Sequence, residues 1–166
     1  MLSSDFVPHR ILVTGATGLL GATLTRRLVD DGETVRILRR ESSTVDLLGP
    51  AAATVEHAFG DVTDPSSLAE AMAGVTCAYH VAAALGSGRR GERARLMEVN
   101  VEGTAHVVNA ALRAGVERLV HTSSMAAFGR PTGPQTTGPQ TTGPQKTLDE
   151  TSEWSPSPLN GPYAES

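Results

Sequence analysis

Cysteine and positive charge are both scarce in this chain of 166 residues. Cys77 is the single cysteine, which excludes an internal disulfide and a thiolate metal cage; in an expected buried strand it reads as a small inert thiol. No basic run extends beyond the pairs Arg26-Arg27, Arg39-Arg40 and Arg89-Arg90, and the formal net charge is −4. A nucleic-acid surface needs clustered cations to displace counterions, so nucleic acid is excluded as a partner. No apolar run approaches the roughly 18 residues of a membrane span, and the N-terminus lacks a basic-then-apolar leader. No membrane partner is expected, and the expected location is the cytoplasm. His80 and His121 fall in expected strands without enough partners for a metal site, so they read as core or edge histidines.

What is present is ordinary for a soluble domain with one core: 39% hydrophobic and 19% charged residues. The organising stretch is Leu12-Val13-Thr14-Gly15-Ala16-Thr17-Gly18-Leu19-Leu20-Gly21. An apolar strand enters it, and a helical pattern leaves it with Leu20, Leu24 and Leu28 four apart on one expected face. Gly15 suits a sharp turn off the strand. Gly18 bares the backbone to a pyrophosphate, and Gly21 allows helix and strand to pack closely. The unpaired N–H groups and positive dipole end of the helix then face an anion. The spacing is G-x-x-G-x-x-G, and no Gly-Lys-Ser/Thr comes after it, so this is not a P-loop.

Apolar runs and helical patterns then alternate. Strands are expected at His9–Thr14, Thr34–Leu38, Val55–Phe59, Val75–Ala83 and Val116–Thr122. Helices are expected at Leu19–Asp31, from Pro65 to about Ala73 behind an Asp64 cap, and at Arg93–Ala114. A helical turn is expected around Leu47-Leu48. The long helix carries apolar residues at 96, 97, 101, 108, 111 and 112. Strand–helix–strand crossovers demand a parallel sheet, and right-handedness leaves few layouts. The expected fold is α/β, a doubly wound, Rossmann-like parallel sheet of order 3-2-1-4-5, with a ligand crevice at the carboxyl ends of strands one and four.

The alternation covers residues 1–128, the expected dinucleotide-binding domain. Residues 129–147 form a low-complexity loop: Thr132-Gly-Pro-Gln-Thr136 recurs at 137–141 and, as Thr142-Gly-Pro-Gln-Lys146, once more. Such a pentamer buries no core, and a solvated loop outweighs a lid or a tether. Residues 148–166 open a further segment in which Tyr163-Ala-Glu-Ser166 looks like the start of a helix.

Six segments in order resemble the extended short-chain dehydrogenase/reductases, the group of NAD-dependent epimerases, dehydratases and dihydroflavonol-reductase-like enzymes. They are Thr14–Gly21, Gly60-Asp61-Val62, His80-Val-Ala-Ala83, Asn100-Val-Glu-Gly-Thr104, Leu119-Val-His-Thr-Ser-Ser124 and Asn160-Gly-Pro-Tyr163-Ala-Glu-Ser166. Glu98–Ser124 and Leu148-Asp-Glu150 look most like the dihydroflavonol-reductase branch. The resemblance implies hydride transfer between a nicotinamide and a carbonyl or secondary alcohol of a small molecule such as a sugar nucleotide or a dihydroflavonol. It implies catalytic roles for Tyr163 as acid/base, Ser124 as holder of the reacting oxygen and Asn100 in support. It implies cofactor contacts from Thr14, Gly15, Thr17, Gly18, Leu19, Leu20 and Gly21. Asp61 and Val62 would lie by the adenine; Val81, Ala82, Ala83, Asn100, Thr122 and Tyr163 complete the set. The resemblance also implies a homodimer through the long helix.

Two departures stand out. The family's catalytic lysine would come directly after Ser166, and the only lysine is Lys146. The family's C-terminal substrate domain is absent too, so the chain is expected to be the N-terminal portion of a longer protein, with little or no turnover by itself. The alternative is a non-catalytic NADP-binding module that lost the lysine.

Residue chemistry adds the cofactor type. Arg39 and Arg40 lie about 18 residues past Gly21, near the ~20-residue spacing at which an acid binds the ribose hydroxyl of NAD and an arginine the 2′-phosphate of NADP. Arg presents a fork to that phosphate, so NADP is expected. NAD is the alternative if Glu41 points inward. Ser123 and Ser124 would face opposite sides of a strand, so only one would serve.

Overall fold

The computed structural model describes residues 9–86, 91–128 and 161–166. The pentamer repeats, Leu148-Asp-Glu150 and the Arg89-Arg90 pair lie outside the described residues. Five strands, β1 (Arg10–Thr14), β2 (Thr34–Arg39), β3 (Glu56–Phe59), β4 (Cys77–His80) and β5 (Arg118–His121), form one parallel sheet of order β3-β2-β1-β4-β5. This is the expected doubly wound layout. From β1 the chain winds outward to β3, then returns to β4 beside β1. The strand order therefore reverses between β1 and β4.

The alternation of β1 shows why the sheet is covered on both sides. Leu12 enters one cluster with Leu38, Leu68, Met72, Val107 and Ala111, beneath α2 (Pro65–Ala71) and α4 (Gly103–Ala114). Ile11 and Val13 enter the other with Ala22, Leu28, Ile37 and Leu48, beneath α1 (Leu19–Asp30) and a 3-10 segment at Asp46–Ala53. Leu12, Val13, Ile37 and Leu48 are fully buried, each contributing about 1.5–3 kcal/mol by transfer from water. Asp64 caps α2 as expected: its Oδ1 accepts from the Ser66 N–H at 2.9 Å, with Pro65 in the first helical position.

Two helical expectations are corrected. In α1 the buried face is Gly21, Ala22, Thr25 and Leu28. Leu24 is half-buried and Leu20 is exposed, because the first turn of α1 borders an open cavity rather than the core. The long helix is also not one helix. It runs as α3 (Glu92–Leu96), a π turn at Met97–Glu102, and α4. The extra residue of the π turn rotates α4 about its axis relative to α3. Leu96, Gly103, Val107, Ala110 and Ala111 then face inward, while Val101 and Leu112 face out.

Strands four and five are shorter than expected. Strand pairing stops at His80 and His121, although the Val81 and Thr122 N–H groups still donate to the Thr14 and His80 carbonyls at 3.3 and 3.0 Å. Helix α5 (Pro162–Glu165) is tied to α3 by an Arg93–Glu165 ion pair of 3.0 Å.

Candidate functional site

The turn after β1 is shaped by close approach. Gly15 has φ +71, and a Cβ there would lie 2.6 Å from the Ala82 nitrogen. A Cβ on Gly21 would overlap the Gly15 carbonyl oxygen. Gly18 differs: its Cβ would meet only the Gly15 oxygen, at 3.4 Å. Protein packing therefore demands glycine at 15 and 21, whereas Gly18 is exposed and opens outward. Gly18 is the N-cap of α1, and no side chain caps that end. The N–H groups of Leu19, Leu20 and Gly21 lie in the first turn, where a helix offers them no acceptor of its own. The bare turn is suited to an anion.

A cavity of about 590 Å³ opens over this turn, at the carboxyl ends of β1, β2 and β4. Every residue assigned from the sequence to catalysis or to the expected NADP site lines it. The glycine turn contributes Thr14, Gly15, Thr17, Gly18, Leu19, Leu20 and Gly21. The β2 and β3 ends contribute Arg39, Arg40, Asp61 and Val62; the β4 end contributes Val81, Ala82 and Ala83. Asn100, Thr122, Ser124 and Tyr163 close the far side. Glu41 is exposed and does not line the cavity. Leu20 points its exposed side chain here rather than into the core.

Asn100 sits in the π turn, a distortion consistent with a polar side chain where a helix wants none. Its Oδ1 accepts from the Ala84 N–H at 2.7 Å, and its Nδ2 donates to the Ala84 carbonyl at 3.1 Å. The same Nδ2 donates to Ser166 Oγ at 2.9 Å, and Ser166 Oγ donates to the Tyr163 carbonyl at 3.0 Å. One amide thus holds the loop after β4 and the helix that carries Tyr163. Ser124 Oγ accepts from the Ala126 N–H at 3.2 Å and starts the 3-10 turn Met125–Phe128. Because β5 has ended by His121, strand alternation does not separate the two serines: Ser123 and Ser124 both line the cavity.

At the other end, Asp61 Oδ1 accepts from the Thr63 N–H and hydroxyl at 3.1 and 3.0 Å. Neither bond engages Oδ2. Arg39 Nε donates to His57 Nδ1 at 2.9 Å, and its guanidinium lies 4.4 Å over the Phe59 ring. Arg40 is exposed at the rim.

His80 is buried beneath the site. Thr14 Oγ1 accepts from the Ala82 N–H at 3.3 Å and meets His80 Nδ1 at 2.7 Å. The other ring nitrogen, Nε2, meets Thr104 Oγ1 at 3.0 Å, and in the neutral ring one nitrogen donates while the other accepts. Burial, reinforced by His121 at 5.2 Å, holds the His80 imidazole down at about 4. The ring is a neutral tie between β1, β4 and α4. Among the described residues no group of three or more His, Cys, Asp or Glu is placed to hold a metal ion, and no helix is long and apolar enough to cross a membrane.

Residues 11–166 match the profile of the NAD dependent epimerase/dehydratase family. The chain belongs to that family. The dTDP-glucose 4,6-dehydratase DesIV of Streptomyces venezuelae, solved with NAD and TYD bound, superposes with a TM-score of 0.76 at 28% identity, over 94% of this chain and 47% of that one. A short-chain dehydrogenase/reductase superfamily protein of Agrobacterium tumefaciens, with NAD bound, gives 0.71 at 31% identity, over 95% and 41%. By sequence, sterol demethylase protein B of Methylococcus capsulatus is 50% identical over 119 residues, 71% of this chain and 35% of its own length. The chain spans about a third of the length of the curated relatives it matches.

The cavity also takes in residues that sequence reasoning missed, among them Leu85, Arg95 and His121. Leu85 stands in a polar loop and Arg95 in a charged helix turn, where neither breaks its local pattern. His121 carried a signal, two residues before the matched Ser123-Ser124, but read as a strand histidine.

Proposed function

We propose that this chain forms the dinucleotide-binding part of an NADP(H)-dependent oxidoreductase acting on a carbonyl or secondary alcohol of a small molecule. The observation that carries the reading is the bare turn at Gly18, open to a cavity that gathers the glycine turn, Asp61, Ser124 and Tyr163 around one space. The donor set suits the cofactor: uncapped amides for a diphosphate, Asp61 Oδ2 for an adenine amine, and two arginines for a phosphate on the ribose. A bound nicotinamide dinucleotide supplies or takes up the hydride.

The chain's own residues have separable tasks. The amides of residues 19 to 21 hold the diphosphate, the Gly18 N–H being already donated to the Gly15 carbonyl at 3.0 Å. The Ser124 hydroxyl donates a hydrogen bond to the substrate oxygen, where negative charge grows as the carbonyl is reduced. The Tyr163 hydroxyl gives that oxygen its proton, or takes it back in the reverse direction. Asn100 holds Ala84 and, through Ser166, the Tyr163 segment in register.

NADP is favoured over NAD because Arg39 and Arg40 line the cavity while Glu41 does not. The test is a titration of the 166-residue chain with NADP+ and with NAD+, monitoring the amides of residues 15 to 21. Shifts at those amides, saturating at lower NADP+ than NAD+, are expected. Undisturbed amides with both dinucleotides overturn the reading.

A further inference from the structure

Arg39 reaches the cavity already immobilised, and the residues that immobilise it come from the neighbouring strand. In the parallel register of β2 and β3, Arg39 lies opposite Phe59, and Ile37 opposite His57. His57 and Phe59, two residues apart, share a face of β3, and their rings are stacked with centroids 6.5 Å apart. Arginine only donates, so the 2.9 Å contact from Arg39 Nε makes His57 Nδ1 the acceptor. The ring proton is then on Nε2, which donates to the Ala52 carbonyl at 2.9 Å. The imidazole is anchored at both nitrogens.

The guanidinium also stacks on Phe59, and Nη1 donates to the Arg40 and Ser43 carbonyls at 3.3 and 3.2 Å. One edge and one face of the guanidinium are thus taken by the protein, and no described group bonds Nη2. An arginine that has surrendered its rotamer freedom on folding does not surrender it again on binding a phosphate.

We infer that His57 and Phe59 are specificity-determining positioning residues: they fix Arg39 so that Nη2 meets a phosphate monoester on the adenosine ribose. This rests on the NADP reading above, and deepens it by moving part of the selectivity from β2 to β3.

The experiment compares dissociation constants of NADP+ and NAD+ by calorimetry on the 166-residue chain, for the wild type, His57→Leu, His57→Asn and Phe59→Ala. His57→Leu removes the acceptor. His57→Asn keeps an acceptor oxygen near the place of Nδ1. Phe59 is half exposed, so Phe59→Ala keeps the fold and carries the test should His57→Leu unfold. His57→Leu and Phe59→Ala are expected to weaken NADP+ about tenfold and to leave NAD+ within about twofold, with His57→Asn restoring most of the loss. An unchanged NADP+ to NAD+ ratio in these variants, beside a wild type that prefers NADP+, overturns this inference alone. Equal loss of both dinucleotides also overturns it, because a general support of the cavity would do that. A wild type with no preference overturns the NADP reading and this inference together.

Discussion

Asn100 clasps Ala84 from both sides: the amide accepts from the Ala84 N–H at 2.7 Å and donates to the Ala84 carbonyl at 3.1 Å. A single side chain thereby satisfies both polar groups of a backbone unit that has left the sheet after β4 and has no strand neighbour. Asn100→Asp keeps the shape but replaces the donor with an acceptor, which sets a carboxylate oxygen against the Ala84 carbonyl. We expect a loss of about 1–3 kcal/mol in stability, together with faster hydrogen exchange at Ala84. Denaturant unfolding and amide exchange check this. Wild-type exchange at Ala84 in the variant would remove the clasp.

The three glycines of the turn separate stability from binding. Gly21→Ala drives a methyl into the Gly15 carbonyl, and Gly15→Ala meets Ala82 at a φ of +71. Both contacts are with backbone, which cannot swing aside. Each is expected to cost about 2–4 kcal/mol of folding stability. Gly18→Ala faces only an ordinary 3.4 Å neighbour. It is expected to fold normally and to lose dinucleotide affinity by about tenfold or more, since its methyl stands where the diphosphate approaches. Thermal melts alongside calorimetric titration of the three variants distinguish these outcomes.

The same residues show what a sequence can disclose. Gly15, Gly18 and Gly21 were legible because turn, bare backbone and close packing each demand the same residue at fixed offsets. The order of the five strands was legible because crossovers leave so little choice. The α1 face was misread, since Leu20 obeys the helical period of Leu24 and Leu28 yet overhangs the cavity. Periodicity records that a side chain is apolar; it does not record whether its partner is the core or a ligand. The π turn was invisible as a span, because a periodic pattern assumes a constant number of residues per turn. Asn100, a residue ill suited to a helix interior, lies within that turn. The Arg39–His57–Phe59 arrangement was out of reach, because it depends on the register between β2 and β3.

The two arginines at the β2 end are chemically alike and structurally different. Arg39 is held by His57, Phe59 and two carbonyls, whereas Arg40 is exposed at the rim. A fixed fork gives orientation, and a solvated one gives mainly screened charge. Arg39→Ala is expected to lower the NADP+ to NAD+ affinity ratio about tenfold or more, and Arg40→Ala only about two- to threefold. Repeating the titration at several salt concentrations checks the assignment. The Arg40 effect should fade with salt while most of the Arg39 effect persists. No change in the ratio for Arg39→Ala removes Arg39 from the role.

His80 makes the fold sensitive to acid in a defined window. Burial, with His121 beside it, lowers the imidazole from the ordinary 6.5 to about 4. Between those values the unfolded chain binds a proton that the folded chain refuses, so stability falls as pH falls. The contribution is present in full above the unfolded value, declines from about pH 6.5, and is gone below about pH 4. Its size is about 3 kcal/mol, from ~1.4 kcal/mol for each unit of displacement. Protonation would also disturb the tie, since both ring nitrogens would then donate and neither could accept from Thr14 or Thr104. Urea unfolding at intervals from pH 7 to pH 4 measures the total slope, to which every displaced carboxylate adds its share. His80→Asn isolates the histidine: it keeps an acceptor for Thr14 and cannot titrate. The variant is expected to start less stable at pH 7, through loss of the bond to Thr104, and to lose about 3 kcal/mol less than the wild type on the way to pH 4. Parallel slopes in the two proteins would mean that His80 takes up its proton in the folded state as readily as in the unfolded one.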